Sequence, residues 1–148
     1  MHLVCPAGNL PALIAAVDHG ADAVYVGFRD QTNARAFPGL NFSDDDLRRG
    51  IAYAHQHQRL VYLALNTYPE SARISEWHSA VDRAAEMGVN AIIAADMAVL
   101  DYAASRHPDL PRHLSVQGSA TTQAALRYHH DRFGIARAVL PRVLSLQQ

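Results

Sequence analysis

The sequence predicts an α/β fold of alternating βα units with parallel strands, arranged as an incomplete (βα)8 TIM-like barrel of about six strands. One short phrase recurs at Gly20, Gly88 and Gly134: a glycine followed closely by a polar residue, an alanine and an apolar run. An amphipathic stretch precedes each copy, and a glycine directly after a helix is typical of a left-handed C-cap. The apolar runs AVYVG, AIIAA and AVLP are nearly continuous, which indicates strands buried on both faces.

The elements between these copies follow the same plan. The first helix begins after Asn9, a suitable N-cap, with Pro11 in its first turn. The second helix has Ser43 as its N-cap, and the aspartates at 44–46 lie at the positive end of its dipole. Five helices thus alternate with six strands, which we place near residues 2–5, 22–27, 60–66, 91–95, 113–117 and 137–140.

Six parallel strands fit either a doubly wound sheet or the first three quarters of a barrel. The turn after the first strand, CPAGNLP, contains one glycine, so the dinucleotide fingerprint GxGxxG is absent, and a chain without lysine cannot form a Walker loop. The ending VLPRVLSLQQ offers Ser145 as a cap for a helix that does not follow. We therefore predict a single βα-repeat domain over residues 1–148, as the amino-terminal part of a longer barrel.

Composition limits the classes of function. The chain has 148 residues, of which 49% are hydrophobic and 18% charged, with a formal net charge of −1, so electrostatics do not favour a nucleic acid partner. We find neither a basic leader nor an apolar stretch long enough to span a membrane, and we expect a cytoplasmic protein. The single cysteine, Cys5, excludes an internal disulfide and a cysteine-ligated cluster held by this chain alone.

Several stretches are more specific than their periodicity: LVCPAGNLPAL, GADAVYVGFRDQTNARAFPGLNFS, LALNTY, SVQGSAT and VLPRVLS. Together they resemble the collagenase-like peptidase family of unassigned mechanism, the U-type peptidases, and within it the UbiU branch. The resemblance runs over the whole chain and covers about the amino-terminal half of a typical member. It implies a barrel-like catalytic domain.

The resemblance also implies a function. It predicts the amino-terminal part of a UbiU-like protein for oxygen-independent hydroxylation in ubiquinone biosynthesis, acting on a small organic molecule with a sister protein of the same family. A four-iron cluster is implied only where a downstream segment carries cysteines, so this chain alone is expected to be inactive. Two alternatives stay open: a collagenase-like peptidase, and a non-catalytic fragment that acts as a partner-binding module through its unpaired strand edges.

Candidate binding residues follow from barrel geometry, because active sites of βα barrels collect at the carboxyl ends of the strands. The loop after the second strand is long for a βα connection and is a further source of candidates. Arginines there could grip an anionic group, and amides could recognise hydrogen-bonding atoms of a ligand. The predicted substrate-binding residues are Asn33, Arg35, Asn66, Asp96, Gln117 and Arg142.

Other uses of these and neighbouring residues compete with binding. Asp96 stands where a helix needs an N-cap, and Asn66 could serve a turn. Cys5 has no local histidine to activate it as a nucleophile, so packing is the simpler role. Among nine histidines the close pairs, at 55 and 57 and at 129 and 130, cannot chelate together on a helix, and we predict no metal site.

Overall fold

The structure is a computed structural model that describes residues 1–145, so the predicted boundary at 148 lies outside the described residues. Its strands form one parallel sheet: β1 Val4–Pro6, β2 Ala23–Gly27, β3 Leu60–Leu65, β4 Ala91–Ala94, β5 Arg112–Leu114 and β6 Ile135–Ala138. The alternating helices are α1 Leu10–Asp18, α2 Asp44–Gln56, α3 Ile74–Met87, α4 Met97–Arg106 and α5 Gln123–Phe133. Short 3-10 helices lie at Ser71–Arg73 and Val116–Gly118.

The strand order is β1-β2-β3-β4-β5-β6, and each pair of neighbours is parallel. The predicted alternation of βα units and parallel strands is therefore confirmed. A doubly wound sheet reverses its strand order at a switch point, whereas consecutive order is the order found in a barrel. Within the described residues β1 and β6 each pair on one side only, so the sheet is open there.

The helices begin and end at the capping residues that the sequence predicts. The Asn9 side chain accepts a hydrogen bond from the Ala12 backbone N at 2.9 Å, and Ser43 does the same for Asp46 at 3.2 Å. Gly88 and Gly134 end their helices with φ of 75° and 61°, a conformation that costs a residue with a Cβ about 1–2 kcal/mol. The repeated phrase is thus the joint between a helix and the next strand.

Three strands differ from the predicted ones by two residues or more at one end, and the first of them, predicted near 2–5, lies at Val4–Pro6. The fifth strand ends at Leu114 rather than near residue 117, because the Ser115 hydroxyl accepts from the Gln117 backbone N at 3.2 Å and starts a 3-10 helix. The sixth begins at Ile135, directly after the left-handed Gly134, and not near residue 137. The strand ends at Ala138, so the predicted range 137–140 covers only its second half and runs two residues past its end.

The two faces of the sheet differ sharply. All five helices pack on one face, where buried side chains of the helices and of alternate strand positions form the main core, including Leu13, Leu47, Trp77, Val81, Leu100 and Phe133. The other face carries a small separate cluster of Ala23, Tyr62 and Ala91. Helices confined to one face are the arrangement of a barrel wall, and the face without helices is its inner face.

A buried arginine joins the last two units on the helix side. Arg112 donates to the backbone carbonyls of Phe133 and Leu110, both at 2.8 Å, and to those of His107 and Pro108, both at 3.3 Å. The residue is 8% exposed. One side chain therefore satisfies carbonyls from the end of α5 and from the loop before β5, which fixes both against β5.

Candidate functional site

The long loop after β2, residues 28–43, lies across the carboxyl edge of the sheet and is held by asparagine side chains. Asn33 Nδ2 donates to Asn41 Oδ1 at 3.0 Å, and Asn41 Nδ2 donates to the Arg35 carbonyl at 2.6 Å. Asn33 Oδ1 accepts from the Arg35 backbone N at 3.2 Å. Both asparagines are 6% exposed. Asn33, predicted to bind substrate, is thus engaged inside the loop, and it sets the position of Arg35.

The end of β2 is shaped to admit this loop. A Cβ built on Gly27 would lie 2.0 Å from Asn33 Nδ2 and 2.4 Å from its Cγ. Only glycine allows the amide of Asn33 to rest against the strand at this distance. The small residue at the end of the repeated phrase therefore serves the loop as well as the sheet.

The end of β3 holds the same loop from the other side. Asn66 Oδ1 accepts from the Ala34 backbone N at 3.0 Å, and the Thr67 hydroxyl donates to the Gln31 carbonyl at 2.5 Å. Trp77 Nε1 on α3 donates to the Thr67 hydroxyl at 3.2 Å. The side-chain oxygen of Asn66 is used by the loop, so the predicted binding residue also acts as a clamp.

Asp96 and Gln117 lie at the same edge in other roles. Asp96 Oδ1 accepts from the backbone N of Ala98 at 2.8 Å and of Val99 at 3.2 Å, so it caps α4, as its position in the sequence allowed. Gln117 was predicted as the last residue of a strand, but it lies in the second 3-10 helix with an exposed side chain. Its carbonyl accepts from the Tyr68 hydroxyl at 2.7 Å, which joins the β3 and β5 loops.

The two predicted arginines are both exposed. Arg35 Nη1 donates to the Tyr25 hydroxyl at 3.5 Å, so its guanidinium turns toward the inner face of the sheet. Arg142 lies in the turn after β6 and has no ion pair among the described residues. The structure thus brings Asn33, Arg35 and Asn66 together, whereas no measured contact joins Arg142 to them. Substrate binding by any of the six residues stays a prediction.

Sequence analysis missed a group on the inner face. Tyr25 and Tyr62 are partners in the β2–β3 register, and Ile93, His113 and Arg137 share one row across β4, β5 and β6. The Tyr62 and His113 rings pack edge to face with centroids 4.8 Å apart, and Arg137 Cζ lies 5.5 Å from the Tyr62 centroid. Since β3 is a neighbour of neither β5 nor β6, these contacts reflect a sheet that curls toward this face.

Two members of this group are buried, and burial changes the pKa of one of them. Tyr62 is 4% exposed and His113 is 6% exposed. Burial, together with the positive charge of Arg137, lowers the pKa of His113 to about 4. The imidazole is therefore neutral at pH 7 and can donate one hydrogen bond and accept another. Alternation in AVYVG and LVYLAL, which puts both tyrosines on one face, was the signal in the sequence.

Metal and cluster ligands can be tested against the residues present. Within residues 1–145 no group of three or more His, Cys, Asp or Glu side chains is arranged to hold a metal ion. Cys5 is half-buried and packs against the helix-side core, not on the inner face. A four-iron cluster on four cysteines does not fit this chain, which has one cysteine.

No helix in the described part of the chain is long and apolar enough to cross a membrane.

Consecutive parallel strands, helices on one face and polar loops at the carboxyl edge define a domain of the βα-barrel class. Residues 8–148 match peptidase family U32, and the chain belongs to this family. The family, collagenase-like in its naming, is the one that the sequence resemblance indicated. The structure of the U32 peptidase Mk0906 has the same fold, with a TM-score of 0.79 at 15% identity over 97% of this chain and 60% of that one.

Curated relatives match over almost the whole chain. tRNA hydroxylation protein P is 34% identical in Helicobacter pylori and 32% identical in Escherichia coli, each over 99% of this chain. A collagenase of Porphyromonas gingivalis is 33% identical, also over 99% of the chain. The chain spans 32–34% of the length of these three relatives, less than the half expected from the resemblance.

Proposed function

We propose that this chain forms the substrate-side part of a hydroxylation protein that acts on tRNA. The observation that carries the proposal is the similarity to tRNA hydroxylation proteins from two bacteria along 99% of the chain. It agrees with the hydroxylation chemistry that the sequence resemblance implied, and it changes the expected substrate. The carboxyl edge, with the clamped loop after β2, is the place where the substrate would enter.

The chemistry of this edge supports an anionic substrate despite the net charge of −1. Arg35 and Arg142 are exposed there, and neither forms an ion pair with a carboxylate among the described residues. The chain has no lysine, so contacts to phosphate would fall to arginine, which binds phosphate oxygens in pairs. Total charge gave no support to a nucleic acid partner, whereas the local distribution is compatible with one.

Hydroxylation in ubiquinone biosynthesis, the UbiU-type function that the sequence resemblance implied, is the alternative within the same class of reaction. Its sister-protein partner and its iron–sulfur cluster are part of the proposal for the whole protein. Cluster ligands would come from other polypeptide, because Cys5 is the single cysteine of this chain and faces the helix-side core. From this chain the proposal requires binding and positioning of the substrate only.

A peptidase is the second candidate, favoured by the 33% identity to a collagenase. Hydrolysis of a peptide bond needs an activated nucleophile or a metal-bound water. Cys5 lies away from the inner face, and the described residues hold no three-ligand metal group. For a peptidase, as for the iron–sulfur cluster, these groups would therefore come from other polypeptide, and the deletion experiment below separates the two candidates.

The test is deletion of the coding sequence in the source organism, with mass spectrometry of nucleosides from bulk tRNA. Loss of one hydroxylated nucleoside, restored by the wild-type gene and by Arg127→Gln but not by Arg35→Gln, is the expected result. Arg127 is an exposed arginine on α5, away from the carboxyl edge, and serves as the matched control. If the deletion leaves tRNA unchanged but abolishes ubiquinone, the substrate is a ubiquinone precursor and not tRNA. If it abolishes only the digestion of gelatin, the protein is a peptidase and not a hydroxylation protein.

Length and iron content are measured on the native protein purified without oxygen. Roughly four irons per protein, carried on a polypeptide longer than this chain, would support the cluster. A 148-residue product without iron would leave a partner-binding module and overturn the hydroxylase proposal.

A further inference from the structure

A cavity of about 360 Å³ lies at the amino ends of β4 and β5, at the opposite edge of the sheet from the candidate functional site. It is lined by Ala85 and Val89, near the junction of α3 with β4, and by residues 106–111, which lead from α4 to β5. We call it the amino-edge cavity. Its volume is within the range of small-molecule sites, about 300–1,000 Å³.

The segment that forms most of the amino-edge cavity is held in one conformation. Arg112 Nη1 donates to the carbonyl of Leu110 at 2.8 Å and to those of His107 and Pro108 at 3.3 Å. The Leu110 backbone N donates to the His107 carbonyl at 3.0 Å, which closes a turn. The cavity is therefore preformed, and a ligand would not have to order the loop in order to bind.

Two side chains of opposite charge line the cavity and are not used by the protein. Arg106 and Asp109 are exposed, and within residues 1–145 neither forms an ion pair or a hydrogen bond through its side chain, with the other or with a third residue. An unpaired guanidinium offers a pair of hydrogen bonds to a carboxylate, and an unpaired carboxylate accepts from an ammonium group.

A third polar group of the lining is fixed in orientation. His107 Nε2 donates to Asp82 Oδ1 at 2.6 Å, and the same carboxylate accepts from the Tyr102 hydroxyl at 3.0 Å. In the neutral imidazole that donates from Nε2, the other ring nitrogen, Nδ1, is an acceptor. Among the described residues Nδ1 has no hydrogen-bond partner, so it can accept from a ligand.

The remaining lining is apolar and consists of Ala85, Val89, Pro108, Leu110 and Pro111. Ala85 and the two prolines keep accessible surface. A complementary ligand thus has an aliphatic part for this wall, an anionic group for Arg106 and a cationic group for Asp109. An α-amino acid with an aliphatic side chain carries all three on one small molecule.

We propose that the amino-edge cavity binds a free α-amino acid with an aliphatic side chain. Arg106 holds its carboxylate, Asp109 and His107 Nδ1 accept from its ammonium group, and its side chain packs against the apolar wall. The cavity is at the amino edge of the sheet, whereas the proposed substrate enters at the carboxyl edge. The amino acid is therefore a second ligand, and the inference goes beyond the proposed function.

The test is equilibrium dialysis of the purified protein, at its native length and near neutral pH, against labelled valine, leucine or isoleucine. Three competitors each lack one part of the ligand: the carboxylic acid with the same side chain, the amine with the same side chain, and glycine. We expect at least one of the amino acids to bind about tenfold more tightly than each competitor, because hydrogen bonds to charged groups are the strong ones. The inference is overturned if none of the three binds saturably at millimolar concentration, or if a competitor binds equally well.

Variants connect the binding to the amino-edge cavity. Arg106→Gln and Asp109→Asn are each expected to weaken it about tenfold. The matched controls are Arg48→Gln and Asp45→Asn, at exposed positions on α2, and both should bind as wild type does. Binding that survives both Arg106→Gln and Asp109→Asn would place the amino acid elsewhere and overturn the inference.

Hydrogen exchange of the wild-type protein locates the ligand without any substitution. Saturation with the amino acid should slow amide exchange in residues 106–111 and leave residues 28–43, at the carboxyl edge, unchanged. Slower exchange at the carboxyl edge alone would contradict the proposed site. None of these results bears on tRNA hydroxylation, which the deletion experiment decides separately.

Discussion

The side-chain oxygen of Asn66 accepts a hydrogen bond from the backbone N of Ala34 at 3.0 Å, between residues 32 positions apart. The bond fastens the middle of the β2 loop to the end of β3. Because the loop carries Arg35 next to Ala34, the clamp also determines where that guanidinium lies. Asn66, which the sequence predicted as a substrate-binding residue, therefore positions Arg35.

Asn66→Ala removes this acceptor. We expect amide hydrogen exchange in residues 28–43 to become about fivefold faster, since a single hydrogen bond of this kind contributes about 1 kcal/mol. Exchange in α4 and α5 should not change. Asn66→Asp keeps an oxygen in the same place and should retain most of the protection. Equal acceleration in both variants would show that the acceptor does not hold the loop.

Gly27→Ala places a Cβ where the Asn33 amide lies, 2.0 Å from Nδ2. We expect a loss of about 1–3 kcal/mol in the free energy of unfolding, as for other overpacked sites. In the double variant with Asn33→Gly the obstructing amide is gone, so the two effects should be less than additive. Denaturant unfolding of the two single variants and the double variant measures this coupling. Strict additivity would contradict the close contact.

Arg112→Met replaces a buried guanidinium by an apolar chain of similar length. The carbonyls of Phe133 and Leu110 lose their donor, and we expect the free energy of unfolding to fall by about 3 kcal/mol. Arg48→Met, at an exposed position on α2, should change it by less than about 0.5 kcal/mol. Chemical denaturation followed by circular dichroism compares the two. Equal, small losses would mean that water replaces the guanidinium at these carbonyls.

The pKa of His113, lowered to about 4 from its ordinary value of 6.5, makes stability depend on pH. Between these two values the unfolded chain binds a proton that the folded chain does not, so stability rises with pH across this window and is lost as pH falls through it. Tyr62 and Arg137 face the ring.

We expect wild type to lose about 2 kcal/mol more than His113→Gln between pH 7 and pH 4. Urea unfolding at several pH values provides the measurement. Parallel profiles for wild type and His113→Gln would show that His113 does not titrate with a lowered pKa.

Much of the fold could be predicted because it depends on local signals. Caps at Asn9 and Ser43 and left-handed glycines at 88 and 134 each act within one turn, and they appear in the structure where the sequence places them. Strand ends were harder. Ser115 can continue a strand or start a 3-10 helix, and the choice depends on the hydrogen bond to Gln117.

The candidate site could be predicted only in part. Parallel strands predict that polar side chains gather at the carboxyl edge of the sheet. They do not predict which atoms of these side chains already form hydrogen bonds within the protein. The side-chain amides of Asn33 and Asn66 form hydrogen bonds that hold the loop after β2, and Asp96 caps a helix. The contact between Tyr62 and His113 joins strands that are not neighbours, so it depends on curvature of the sheet, which no local pattern records.

Consecutive strand order also has a consequence for how the protein is made. Each strand from β2 to β6 pairs with the strand that precedes it by one helix, so its first partner has already left the ribosome when the strand appears. The sheet can grow in the direction of synthesis, with each new unit adding to the last-formed edge and no strand waiting for a later one. Arg112 fits this course, since its carbonyl partners belong to the loop just before it and to the next helix to emerge.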